Sequence, residues 1–204
     1  MKNRAYLGNI SWALLVMVYL LAACSTTLPV KYYTLNTLPE MQQDTGEAVS
    51  GHGIAIGVGP VDFPKLLDRP QIVTRQSQNR VKVSEFHRWA SALQGDFSRV
   101  LAKNISILLP TDRVAVYPWA DEFSPTYRIK LDVEQFDGQL GNVVSLYVTW
   151  SVTGREDKDP VVRTSVIEEP VSTADHEGLV AAMSRALETL SREIVEVIDG
   201  LETM

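Results

Sequence analysis

Tyr127-Arg128-Ile129-Lys130-Leu131-Asp132-Val133-Glu134 alternates without a break: odd positions are apolar and even positions charged. Successive side chains of a strand point to opposite faces, so this stretch predicts a strand with one buried face and one wet face. Gly138 and Gly141-Asn142 mark a turn into a second strand over 143–153. A third, Val161 to Ile167, follows the Asp157-Lys158-Asp159-Pro160 turn. The three together predict an antiparallel meander.

Two helical patterns predict the layer that covers the dry face of this meander. Phe86, Trp89, Ala90, Leu93, Phe97, Val100, Leu101, Ile105 and Leu108 recur at three- and four-residue spacing. They read as one helix, with Ser84 as its N-cap, Glu85 in its first turn and Pro110 ending it. Leu179, Met183, Ala186, Leu187, Leu190, Ile194, Val197, Ile198 and Leu201 form a second stripe, on a helix from about Ala174 to Leu201. Ser172 or Thr173 is the candidate cap, and Asp175 and Glu177 suit its positive end.

Upstream, Lys31 to Leu35 reads as a strand and 36–52 as a polar loop. Ile54 to Val58 reads as a buried strand stopping at Gly59-Pro60. Gln71 to Thr74 and Val81 to Val83 predict a hairpin turning near Ser77-Gln78-Asn79, and Val114 to Tyr117 a short strand stopped by Pro118. The predicted fold is α+β: a mixed, mostly antiparallel sheet with two amphipathic helices packed on one face, a two-layer sandwich.

The N-terminus predicts an address. Lys2 and Arg4 precede a short apolar run, Ile10 to Leu21, and Leu21-Ala22-Ala23-Cys24 closes it with the only cysteine. About 20 apolar residues are needed to span a bilayer, so this run fits a cleaved signal better than a transmembrane helix. Residues 1–23 are therefore expected to be a signal peptide, 24–31 a lipidated tether and 32–204 a single domain. Removing the signal takes away Lys2 and Arg4 but no acid, which deepens the net charge from −6 to −8. So acidic a domain argues against nucleic acid as a partner and leaves anchoring to acyl chains. With its lone cysteine acylated, the mature chain forms no internal disulfide.

Catalytic constellations are missing: there is no Gly-x-Ser-x-Gly elbow, His-Glu-x-x-His pair or phosphate loop. His52, His87 and His176 lie far apart in sequence, so no metal site and no cofactor is expected. Asp132, Glu134 and Asp137 crowd one strand end, but the first two share its wet face and read as solvated. Trp89 falls on the first helical stripe and reads as core. Trp119 and Trp150 are the candidates to line an apolar ligand groove.

A family resemblance gathers these parts. Leu21-Ala22-Ala23-Cys24 matches the lipobox of bacterial lipoproteins. Lys31-Tyr32-Tyr33-Thr34-Leu35, Val58-Gly59-Pro60-Val61, Leu66-Leu67-Asp68-Arg69-Pro70-Gln71-Ile72-Val73 and Trp89-Ala90-Ser91-Ala92-Leu93 follow in an order that resembles the PqiC (YmbA) lipoproteins. Those are auxiliary lipoprotein components of ABC-type transport systems with MCE proteins. Ala92 departs from a proline that is frequent there.

The resemblance implies diacylglycerol on the Cys24 sulfur and an N-acyl chain such as palmitate on its amino group. It implies sorting to the outer membrane with the domain facing the periplasm, since Ser25 replaces the Asp of inner-membrane retention. It further implies a non-enzymatic subunit, a homo-oligomer, that docks a PqiB-like MCE protein for intermembrane lipid transport and envelope integrity. The alternative is a lipoprotein that carries lipid in an apolar cavity of its own.

Overall fold

The computed structural model describes residues 29–39, 53–109, 111–154 and 159–203. Cys24, His52, Pro110, Asp157 and Lys158 lie outside them. The described chain forms β1 (Lys31–Tyr33), β2 (Ile56–Asp62), β3 (Gln71–Ser77), β4 (Arg80–Trp89), α1 (Leu93–Leu108), β5 (Val114–Val116), β6 (Tyr127–Gly138), β7 (Val143–Gly154), β8 (Val161–Pro170) and α2 (His176–Glu202). This is the predicted α+β class, with the strands divided between two sheets. A five-stranded sheet has the order β5-β2-β6-β7-β8, and a three-stranded sheet has the order β1-β4-β3. The β6-β7-β8 meander is antiparallel, while β5, β2 and β6 run parallel.

Alternation does its expected work in β6. Tyr127, Ile129, Leu131 and Val133 are buried, and Arg128, Lys130, Asp132 and Glu134 are exposed. A register shift between Val133 and Gln135 then re-aims the strand end. Phe136 turns into the core, where its ring meets Phe97 edge-on at 5.3 Å, and Phe63 meets Phe97 at 5.2 Å. Such edge-to-face pairs add about 0.5–1.5 kcal/mol each beyond area burial. Both helices pack on the sheet and on each other, so the core lies between layers.

Three boundaries differ from expectation. The first helix starts at Leu93 because Phe86 to Trp89 belong to β4, whose last residue pairs with Tyr33 of β1. Ser84 is therefore a buried strand residue and no helix cap; α1 begins after Ala92, without a side-chain cap. The second strand does not stop at Gly59-Pro60. It runs on to Asp62, with a register shift that re-pairs Val61 with Leu131. The cap of α2 is Asp175, whose carboxylate accepts the Gly178 amide at 2.8 Å, in place of Ser172 or Thr173. That bond, first among several causes, holds the Asp175 pKa below its usual value.

Candidate functional site

The segment Tyr33–Leu38 leads from β1 into the body, and side chains of both helices grip it. Asp96, buried in the first turn of α1, accepts the Leu35 amide at 2.7 Å and the Thr34 hydroxyl at 2.9 Å. Its other oxygen takes Arg99 at 2.6 Å. Asn104 of α1, fully buried, accepts the Leu38 amide at 2.8 Å and donates to Ser191 of α2 at 3.2 Å. Ser184 of α2 accepts the Asn36 amide at 3.0 Å. The charged, buried bonds of Asp96 are the strong class, and they tie this segment to the core.

Lys31 opens β1, seven residues after Cys24. Tyr32 is 65 % exposed beside it. A groove of about 610 Å³ runs between this strand and the start of α2, lined by Tyr32, Tyr33, Asn36, Glu177 and Val180.

Behind Tyr33 the topology unites two histidines that are 89 positions apart in sequence. His87 of β4 and His176 of α2 stack with ring centroids 3.6 Å apart and planes within 6°. The Tyr33 hydroxyl lies 2.8 Å from His87 Nδ1, and the Ser84 hydroxyl 2.8 Å from His176 Nε2. Far apart in sequence and set in different elements, the two meet because α2 starts over β4. Parallel stacked rings aim their in-plane lone pairs side by side, a poor geometry for one shared metal. Among the described residues no group of three or more potential ligands is gathered.

Burial, His87 and Lys82 push His176 down to about 4. Burial, Lys31 and Lys82 also lower His87, and burial with Asp175 and Glu177 raises Tyr33. The sign for stability follows. The unfolded chain takes up a proton near 6.5, whereas folded His176 does not until about 4. Stability that is complete above pH 6.5 is lost as pH falls through that window. For a partly exposed ring the loss is about 1–2 kcal/mol after solvent screening. Urea midpoints at pH 7 and pH 4.5 are expected to show this drop in the native chain and a smaller one in His176→Gln. Equal drops would contradict it.

Other candidates take structural roles. Asp137 is buried in a bidentate pair with Arg75 of β3, at 3.1 and 2.8 Å, and so joins the two sheets. That bond, foremost, raises the Arg75 pKa. Trp89 is core, as expected, but from a strand end. Trp119 lies close enough to Gly57 that a Cβ there would be 2.8 Å from its ring. Trp150 is buried, donates to Ser165 at 2.8 Å, and floors a groove of about 500 Å³ beside α2. Ser165 donates in turn to Glu193.

Comparison with known proteins adds a family. The model of the ABC-type transport auxiliary lipoprotein component matches residues 33–195. No curated protein matches. A crystal structure of an uncharacterized protein superposes with a TM-score of 0.68 at 19 % identity, covering 84 % of this chain and 99 % of that one. A Xanthomonas campestris protein of the family DUF330 superposes at 0.63 and 18 % identity, covering 86 % and 98 %. At such identities the likeness is one of fold. No helix among the described residues is long and apolar enough to cross a membrane.

Proposed function

We propose, from the premise that this chain belongs to the ABC-type transport auxiliary lipoprotein components, that it is a docking subunit. It holds a periplasmic MCE-domain protein at the outer membrane for intermembrane lipid transport, and it catalyses no reaction. The family is one of membrane-anchored periplasmic proteins that assist transport; the partner, the outer membrane and the homo-oligomer are the finer reading.

The observation that carries it is the grip of Asp96, Asn104 and Ser184 on the segment that leads to the anchor. A docking subunit transmits force between a membrane and a partner, and this one is braced where the force enters. A lipid carrier instead needs an enclosed apolar chamber. The groove above Trp150 is walled partly by Arg163, Glu193 and Glu196, which suits acyl chains poorly.

The test is co-purification of the full chain from detergent-solubilised envelope. An MCE-domain protein is expected at near-stoichiometric yield. Its absence, with phospholipid found bound to the purified chain by native mass spectrometry, would favour the carrier.

A further inference from the structure

Among the described residues, Arg69 and Arg88 each bury a donor that finds no acceptor. Each is half-buried, and the Nε of each is shielded from solvent without a hydrogen-bond partner. No ion pair to either occurs among the described residues, although Asp68 adjoins Arg69 in sequence. A covered donor without an acceptor is costly, and such a group in a native fold calls for a missing partner.

The two lie on backbone segments that adjoin. Arg88 pairs with Gln71 across the hairpin, and the Trp89 amide donates to the Pro70 carbonyl at 2.7 Å. Arg69 immediately precedes Pro70, so the guanidinium groups arise from adjoining segments. On its other side Arg88 pairs with Tyr32. Lys31 and Tyr33 flank Tyr32 and pair with His87 and Trp89, so alternation sets Tyr32 and Arg88 on the opposite face of the small sheet. That sheet's first strand is the one the tether enters.

We propose that Arg69 and Arg88, with Tyr32 at the rim, form a binding site for a phosphate group, taken from a bilayer headgroup or from a free phosphate ester. The terminal nitrogens of both guanidinium groups are not covered, and as two planar pairs of donors they match a tetrahedral anion's oxygens. Tyr32 offers a hydroxyl above an apolar ring, the chemistry of the membrane–water boundary. The headgroup source rests on the anchor at Cys24; the anion site itself does not. The protein's overall acidity makes this a local site and not a general attraction to anionic lipid.

Calorimetric titration of the full chain in dodecyl maltoside micelles tests it, with three probes: inorganic phosphate, glycerol 3-phosphate and micelles doped with phosphatidylglycerol. Binding is expected to weaken at least tenfold in R69Q/R88Q. The empty double variant is expected to melt no lower than the native chain, because unpaired donors have been removed. Heat from the doped micelles alone supports the site with a headgroup as its ligand. Heat from soluble probes too supports it with free phosphate also admitted. No heat from any probe, or undiminished affinity in the folded double variant, overturns it. If that variant fails to fold, Arg88→Lys keeps the charge and loses the fork. It is expected to bind several-fold more weakly, and native affinity in it would also overturn the site.

Discussion

Cys24→Ser is expected to abolish acyl labelling of this protein completely and to leave it soluble or as an unprocessed, longer precursor. The thiol is the atom that a diacylglyceryl transfer alkylates, and a serine hydroxyl at ordinary pH is far less nucleophilic. Each buried methylene contributes about 0.8 kcal/mol, so one chain binds marginally while two or three hold permanently. Losing them moves a processed chain from fully bound to unbound, whereas an unprocessed precursor stays with the membrane through its apolar signal. Growth with radiolabelled palmitate, followed by fractionation and intact-mass measurement, reads all three consequences. Unchanged labelling would sink the lipoprotein assignment of Cys24. Retained labelling with altered fractionation would move the question to sorting at Ser25. Because the tether is short, the same variant is expected to reduce MCE co-purification from membranes at least tenfold.

Much of the fold could be read where one periodicity ruled a whole element. β6 kept strict alternation up to its bulge, and α2 kept its apolar stripe over seven turns. The β3–β4 hairpin turns at Gln78-Asn79, within the expected Ser77-Gln78-Asn79. The start of α1 could not be read, and the reason is physical. Phe86, Trp89 and Leu93 fall at helical spacing, yet Trp89 reaches the core from the end of a strand that pairs with Tyr33. Local spacing cannot separate these cases; a parallel partner 56 residues upstream does.

The candidate site was even less legible. Ser84 looked like a cap because serine often is one, but its hydroxyl is engaged by His176. The stacked histidines depend on where α2 begins relative to β4, which no short-range pattern encodes. Asp137 was grouped with Asp132 and Glu134 at one strand end, but past the bulge after Val133 it alone is buried, paired with Arg75. In each case a polar residue was read from its neighbours in sequence, while its partner came from another layer.

Asp96→Ala is expected to cost about 3 kcal/mol of folding stability, because it removes the acceptor from a buried amide as well as the charge from three bonds. Leu35 is 2 % exposed, and its amide has no water to turn to once the carboxylate is gone. For a domain of this size that loss lowers Tm by about 6–12 °C. Asp96→Asn keeps an acceptor for the Leu35 amide and is expected to lose about half as much. Arg99→Ala is expected to cost under about 1 kcal/mol, since the 57 % exposed guanidinium is solvated either way. The order Ala, Asn, then Arg99→Ala separates amide capture from ion pairing as the source of stability. Hydrogen exchange adds the functional reading. In Asp96→Ala the amides of Leu35 and Leu38 are expected to exchange much faster while those of β6 and β7 change little, because the grip on the anchor segment is lost before the sheet opens. If docking transmits load through this segment, the variant should keep its acyl label and its membrane fraction yet recover less MCE partner. A Tm within about 2 °C of native, or uniform exchange throughout the sheet, would show that Asp96 does not brace the anchor.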